Sequence, residues 1–189
     1  IVVVGTRPEA IKMAPVYLAL KADPRVRATL LATAQHRHML DQVLTVFDIR
    51  PDVDLDLMRA DQTLAQVTAA VVTGVQDALA QLKPDAVLVH GDTTTCLASG
   101  LAAFYERVPL GHVEAGLRTY NFQAPWPEEM NRRLVDPICR WCFAPTRRAA
   151  ENLRAERIRE ENIFVTGNTV IDALLLARER VRREPPSVP

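Results

Sequence analysis

The chain has 189 residues, enough for one well-packed domain and the start of another. Apolar residues make up 48% and aromatic residues only 5%, which argues against a disordered chain and suits buried strands covered by alanine-rich helices. With 23 basic and 23 acidic residues the formal charge is zero, so a whole-surface grip on nucleic acid is not expected and any anion site has to be local.

The predicted elements alternate between strand and helix. Residues 1–4 (IVVV) read as a strand and 9–22 as a helix. Residues 28–34 (ATLLATA) form the next strand, followed by a helix over 37–48. The stretch 52–58 (DVDLDLM) alternates with period two and reads as a short edge strand. A long helix is predicted over 63–83, with apolar residues at 64, 67, 71, 75, 78, 79 and 82. Strand 86–90, helix 94–107, strand 110–114 and a segment 129–140, helical up to about Pro137, come next. Strand 141–144, helix 147–156, strand 162–167 and a last helix over 168–184 complete the series, before an extended PPSVP tail.

Repeated βα units imply an α/β fold, a mostly parallel sheet with helices on both faces. Such sheets bind ligands beyond the carboxyl ends of their strands. The segments in those positions are GTRPEAIK, TAQHRHM, HGDTTT, EAGLRTYNFQAPWPEEMNR, PTRR and TGNT. Polar and charged residues therefore gather along one rim. No segment is long and apolar enough for a membrane span, so no membrane partner is expected. The chain opens inside a strand with no basic leader, from which no signal peptide is expected, and the lack of a methionine at Ile1 suggests residues in front. Three scattered cysteines make no disulfide framework, and a cytoplasmic, reducing location is expected.

A dinucleotide-binding protein places G-x-G-x-x-G after its first strand, so that bare backbone approaches a pyrophosphate. This chain places Arg7, Glu9 and Lys12 there. Thr6 with Glu9 fits a capping box with Pro8 in the first turn, so Glu9 reads first as structural. Arg7 and Lys12 stand where the helix dipole disfavours cations, which suggests an anion nearby. After the fourth strand, Asp92 or one of Thr93 to Thr95 serves as a helix cap; capping explains one of them, and His90 with Asp92 suits acid/base chemistry at a strand tip.

Glu114 ends a buried strand, where a carboxylate is costly unless it is paired or works on a ligand; Arg118 is the expected structural partner. His112 reads as a hydrogen-bonded core histidine. Glu128 and Glu129 follow a Pro-Trp-Pro stretch at the end of a long loop over 115–127. Their structural reading is acid enrichment at a helix start. His36 and His38 do not share a helix face, and nothing else has zinc-ligand spacing, so no metal is expected. Cys139 and Cys142 lead into an apolar strand and read as buried small hydrophobes. Carboxylates beside cations suit acid/base work on a phosphorylated or nucleotide-linked substrate, and sugar C–O cleavage is one such chemistry. The residues by themselves do not name the substrate.

Taken together, GTRPEAIKMAP, TAQHRHMLDQVL, HGDTTT, GHVEAGLRT, PWPEEMNR and TGNTVIDAL closely resemble the bacterial non-hydrolysing UDP-N-acetylglucosamine 2-epimerases, in order and spacing over essentially the whole chain. The resemblance implies a Rossmann-like doubly wound parallel sheet, the N-terminal half of a GT-B-like two-domain fold. It places the N-terminal domain at 1–167 and a connecting helix and tail at 168–189, leading to a second domain outside this chain. It implies interconversion of UDP-N-acetylglucosamine and UDP-N-acetylmannosamine through a 2-acetamidoglucal, with no cofactor. Asp92, Glu114 and Glu128 match the acid/base carboxylates of the family, Lys12 its essential lysine, and Arg7 a residue near the nucleotide phosphates. Gln35 falls where a second UDP-sugar binds as activator. A homodimer of the full-length protein is implied as well. The alternatives are a hydrolysing relative, whose first motif typically lacks the Pro8–Glu9 pair, an epimerase of a modified UDP-sugar, and a glycosyltransferase or binding module of the same fold.

Overall fold

A computed structural model describes residues 1–33, 37–57, 59 and 61–185, with side chains omitted at 37 and 38. In chain order the elements are β1 (Val2–Val4), α1 (Arg7–Ala22), β2 (Leu30–Ala32), α2 (Arg37–Val46), β3 (Val53–Asp54) and α3 (Leu64–Leu82). They continue with β4 (Val87–His90), α4 (Thr94–Tyr105), β5 (Leu110–Val113), α5 (Glu128–Val135), a 3-10 turn at Asp136–Ile138, β6 (Trp141–Ala144), α6 (Arg147–Ala155), a second 3-10 turn at Glu160–Asn162, β7 (Ile163–Val165) and α7 (Val170–Arg183). Every predicted helix and strand is present. β1 and β2 are shorter than the runs predicted for them, whereas β6 spans its run WCFA in full.

The seven strands form one sheet in the order β3-β2-β1-β4-β5-β6-β7, and every neighbouring pair is parallel. This is the Rossmann-like doubly wound arrangement expected from the sequence. Alternate residues of β1 serve different faces. Val3 joins a core with Val71 and Val75 of α3, Ala98 and Ala102 of α4, and Leu153 of α6. Val2 and Val4 join another with Met13 and Tyr17 of α1 and Leu40 of α2. The run IVVV is apolar throughout because both faces are covered. Small residues let helices lie close: a Cβ on Gly100 of α4 would come within 2.9 Å of Val135. Among the described residues no helix is long and apolar enough to cross a membrane.

The strand order reverses between β1 and β4, where the chain leaves β1 in opposite directions. Crevices at such a switch point take ligands. The start of α1, with Lys12, meets here the turns after β4 and β5, which carry Asp92 and Glu114.

Candidate active site

The turn after β1 needs only one glycine, and packing explains it. A Cβ on Gly5 would stand 2.4 Å from the hydroxyls of both Thr33 and Thr95, so β1 can leave the sheet there only without a side chain. Thr6 N-caps α1, and Glu9 reaches back to accept from the Gly5 amide at 2.7 Å, the Thr6 amide at 2.7 Å and the Thr6 hydroxyl at 3.0 Å. Its other oxygen accepts from the Thr93 hydroxyl. Glu9 is buried and fully used, so its structural reading holds, and it also ties the β1 turn to the β4 turn.

Thr93 is the residue that caps α4, accepting from the Cys96 amide at 3.0 Å. Asp92 is thereby free of capping. Its carboxylate meets Arg132 at 3.1 Å, and its backbone carbonyl accepts from the Asn131 side chain at 2.8 Å, both from α5. Burial pushes the Asp92 carboxyl above its usual value; Arg132 opposes this, while the negative charges of Glu128 and Glu114 add to it. Asp92 comes from the β4–α4 turn, and Glu114 and Glu128 stand at the two ends of the β5–α5 connection, whose helix holds Asp92 through Asn131 and Arg132.

Glu114 follows β5 with a left-handed backbone, φ 69°, which turns the chain sharply over the rim. Lys12 Nζ donates to both of its oxygens, at 2.8 and 2.7 Å, and Asn168 Nδ2 donates to Oε2 at 2.7 Å. Burial would raise the Glu114 carboxyl, but the approach of His90 and the Lys12 ammonium outweighs it and holds the group at about 2. The partner of Glu114 is therefore Lys12, 102 residues away, and the expected pair with Arg118 does not form. The turn explains this. Glu114 and Gly116, φ 85°, reverse the chain, and Arg118 is directed to the other side, against the 136–138 turn and α6. A Cβ at Gly116 would sit 2.3 Å from the Ala149 carbonyl oxygen, so the reversal is tightly packed.

Since the folded-state value of Glu114 lies below its usual 4.5, the pair stabilises the fold above that pH and the contribution is lost as pH falls from about 4.5 to about 2. Lys12→Met should destabilise the protein at neutral pH and flatten this acid limb. Thermal unfolding of both forms across that window reads it, and an unchanged slope in the variant contradicts the pairing.

The adjacent carboxylates of α5 divide their roles. Glu129 is fully buried and accepts from the Thr119 amide at 3.0 Å, the Tyr120 amide at 2.8 Å and the Arg132 guanidinium. It fastens the long loop to α5. Burial would raise its carboxyl, but these donors hold it below the usual range. Glu128, one residue earlier and turned about 100° around the helix, is partly exposed and makes no hydrogen bond or ion pair with the described residues.

Behind the rim lies a charged network. His112 Nε2 contacts the Gly91 carbonyl at 2.7 Å and Nδ1 contacts Asp136 at 2.6 Å. A carbonyl and an ionised carboxylate both require N–H donors, so the ring is an imidazolium. Burial opposes that charge, but Cys96 and Asp136 raise the His112 value well above normal. Asp136 also takes Arg118 at 2.6 Å, and Arg118 grips Glu156 at 2.9 and 2.7 Å. His112 is the hydrogen-bonded core residue expected of it. Cys139 and Cys142 are buried free thiols beside it.

Arg7 is exposed and lines an apolar cleft of about 470 Å³ between α1, α2 and α7, with Ile11, Val43, Phe47 and Leu174. Gln35 and His36 lie outside the described residues. The structure thus brings Lys12, Asp92, Glu114 and Glu128 together. The sequence reading missed Asn168, Arg132 and Asn131 as supports of those groups. A signal for Asn168 existed, since TGNT stands directly after a strand on the same rim.

Residues 18–188 match the family model for UDP-N-acetylglucosamine 2-epimerase. The chain belongs to that family. It is 58% identical over 179 residues to a UDP-N-acetylglucosamine 2-epimerase of Salmonella typhimurium, a match that covers 95% of this chain and 48% of the relative. It superposes with a TM-score of 0.92, at 52% identity, on a Neisseria meningitidis UDP-GlcNAc 2-epimerase bound to UDP-GlcNAc, covering 96% of this chain and 50% of the other. The chain therefore spans about half the length of these family members. An Acinetobacter baumannii MurG aligns at 16% identity with a TM-score of 0.59 over 87% of this chain and 43% of MurG, which speaks for fold alone. The architecture is accordingly one half of a GT-B-like fold.

Proposed function

We propose that the full-length protein interconverts UDP-N-acetylglucosamine and UDP-N-acetylmannosamine without hydrolysing them. The observation that carries this reading is the convergence of Asp92, from the β4–α4 turn, with Glu114 and Glu128, from the two ends of the β5–α5 loop, beside Lys12 at the sheet's switch point. Membership of the family and the UDP-GlcNAc-bound relative support the substrate.

In the proposed reaction a carboxylate removes the C2 proton while the C1–O bond to UDP breaks. The electron pair of the C–H bond forms the C1–C2 double bond of a 2-acetamidoglucal, and UDP leaves with the pair from C1–O. Return of the UDP oxygen to C1 and of a proton to the opposite face of C2 gives the epimer. Handling protons on two faces requires more than one carboxyl group. Asp92, raised by burial, suits the donor role, and Glu114, held ionised, suits the acceptor. Lys12 is the cation proposed to meet the diphosphate, whose charge grows as it leaves, with Arg7, at the start of the same helix, as a second.

Residues 1–167 are proposed as the N-terminal Rossmann-like domain, with 168–189 as a connecting helix and tail leading to a second domain. Binding of a second UDP-sugar near Gln35, a cytoplasmic location and a homodimer belong to the same reading. Proton NMR of the full-length protein with UDP-N-acetylglucosamine in D2O tests it. Deuterium at C2 and growth of the manno epimer are expected. Free N-acetylmannosamine with UDP, or no exchange at C2, contradicts the proposal.

A further inference from the structure

His90 ends β4 and is 4% exposed, yet neither of its ring nitrogens has a hydrogen-bond partner. Buried polar groups in folded proteins are nearly always satisfied, and an orphan calls for a specific reason. The neighbouring strand shows that the sheet can satisfy a histidine here, for His112 of β5 has both nitrogens engaged. Of these two strand histidines it is His90, the one that faces Glu114, that is left without a partner.

His90 Nε2 stands 3.8 Å from Glu114 Oε1. That is too long for a hydrogen bond, and a shift of roughly an ångström or less closes it. Glu114 Oε2 already accepts from Lys12 and Asn168, whereas Oε1 accepts from Lys12 alone and has a free lone pair. The charged groups around His90 are Glu114 from the β5 turn, Lys12 from α1 and Asp92 two residues along its own chain. The resting arrangement has a chemical drawback. A carboxylate with both oxygens bound to one ammonium is a weak base, because the adjacent positive charge stabilises its ionised form. A neutral imidazole N–H orients a carboxylate without placing a countercharge on it. An arriving phosphate competes for the same ammonium.

We propose that His90 is a positioning residue of the acid/base site, whose Nε2–H takes Glu114 Oε1 when the diphosphate of the substrate draws Lys12 away. This rests on the reading given under Proposed function. His90 itself exchanges no proton with the sugar. It keeps the carboxylate aimed while its basicity returns.

Three substitutions in the full-length protein test the donor. His90→Gln keeps an N–H near the Nε2 position, His90→Asn moves it to the Nδ1 position, and His90→Phe removes it. We expect kcat for His90→Gln within about threefold of the parent, and losses of roughly thirtyfold or more for His90→Asn and His90→Phe, with KM for UDP-N-acetylglucosamine changed less than about threefold in all. Equal turnover in all three overturns the proposal, and so does an equal loss in His90→Gln and His90→Phe. A separate readout does not need turnover. The 15N NMR signals of the His90 ring, assigned by difference with His90→Gln, should report the Nε2–H tautomer, with the proton moving downfield when UDP is added. An Nδ1–H tautomer, or no response to UDP, overturns the proposal even in an active enzyme. Should the parent protein fail to epimerise, the functional reading falls, and the NMR result still decides the hydrogen bond.

Discussion

Glu128→Gln in the full-length protein is expected to lower kcat by about 10²–10⁴-fold while leaving Tm unchanged, the loss that follows from removing one group engaged in proton transfer. The separation comes from its surroundings: Glu128 makes no hydrogen bond or ion pair with the described residues, so no pair in the fold is broken with its charge. Asp92→Asn and Glu114→Gln should lose turnover to a similar extent, but each also disturbs a partner. Asp92 meets Arg132, and Glu114 holds Lys12 and Asn168. Stopped-time assays of epimer formation beside thermal unfolding curves separate the two effects. Near-parent turnover in all three variants contradicts the assignment of the acid/base groups.

The second large effect concerns stability. Asp136→Ala removes the carboxylate that faces both the His112 imidazolium and the Arg118 guanidinium in a fully buried setting. Breaking a buried pair from one side costs about 3–5 kcal/mol, against total stabilities of about 5–15 kcal/mol. Arg118 keeps Glu156, but His112 loses its only carboxylate and must either stay charged in the core or give up a proton. Urea unfolding should show a lower midpoint at unchanged slope. The pH dependence carries a second signature. The His112 value is raised, so its contribution is complete below the usual 6.5 and disappears only as pH climbs through the folded-state value. The Asp136 value is depressed, so its contribution is complete above the usual 3.8 and fades as pH falls. A variant as stable as the parent at neutral pH contradicts this account.

What could be read from the sequence, and what could not, divides by distance along the chain. The order of strands and helices was legible because each element writes its own periodicity; the IVVV run and the long helix of Leu64–Leu82 needed no knowledge of their neighbours. The capping role of Glu9 was legible because its partners lie within four residues. The position of Lys12, Asp92, Glu114 and Glu128 on one rim followed from parallel topology. Their pairing did not. Lys12 with Glu114 spans 102 residues, Glu114 with Asn168 spans 54, and Arg132 with Asp92 spans 40, and no local pattern encodes such contacts. Arg118 was assigned to the carboxylate four residues before it by proximity alone, and the reversal at Glu114 and Gly116 undid that proximity. Glu128 and Glu129 looked alike in sequence, and only the direction each faces on α5 separates a free carboxylate from a fully bonded one.

The place of β1 in the sheet bears on how the molecule assembles. β1 pairs with β2 on one side and, through Leu88, with β4 on the other. The β1-α1-β2 portion can close early, but the opposite flank of β1 waits for a partner nearly ninety residues downstream. Contacts of such long range slow folding. Until β4 arrives, the nascent polypeptide carries an unpaired apolar ribbon at its centre, an opening that invites chaperone capture or wrong pairing. The crevice between β1 and β4 forms only with that late event, so the rim that carries Lys12, Asp92 and Glu114 is not assembled before it.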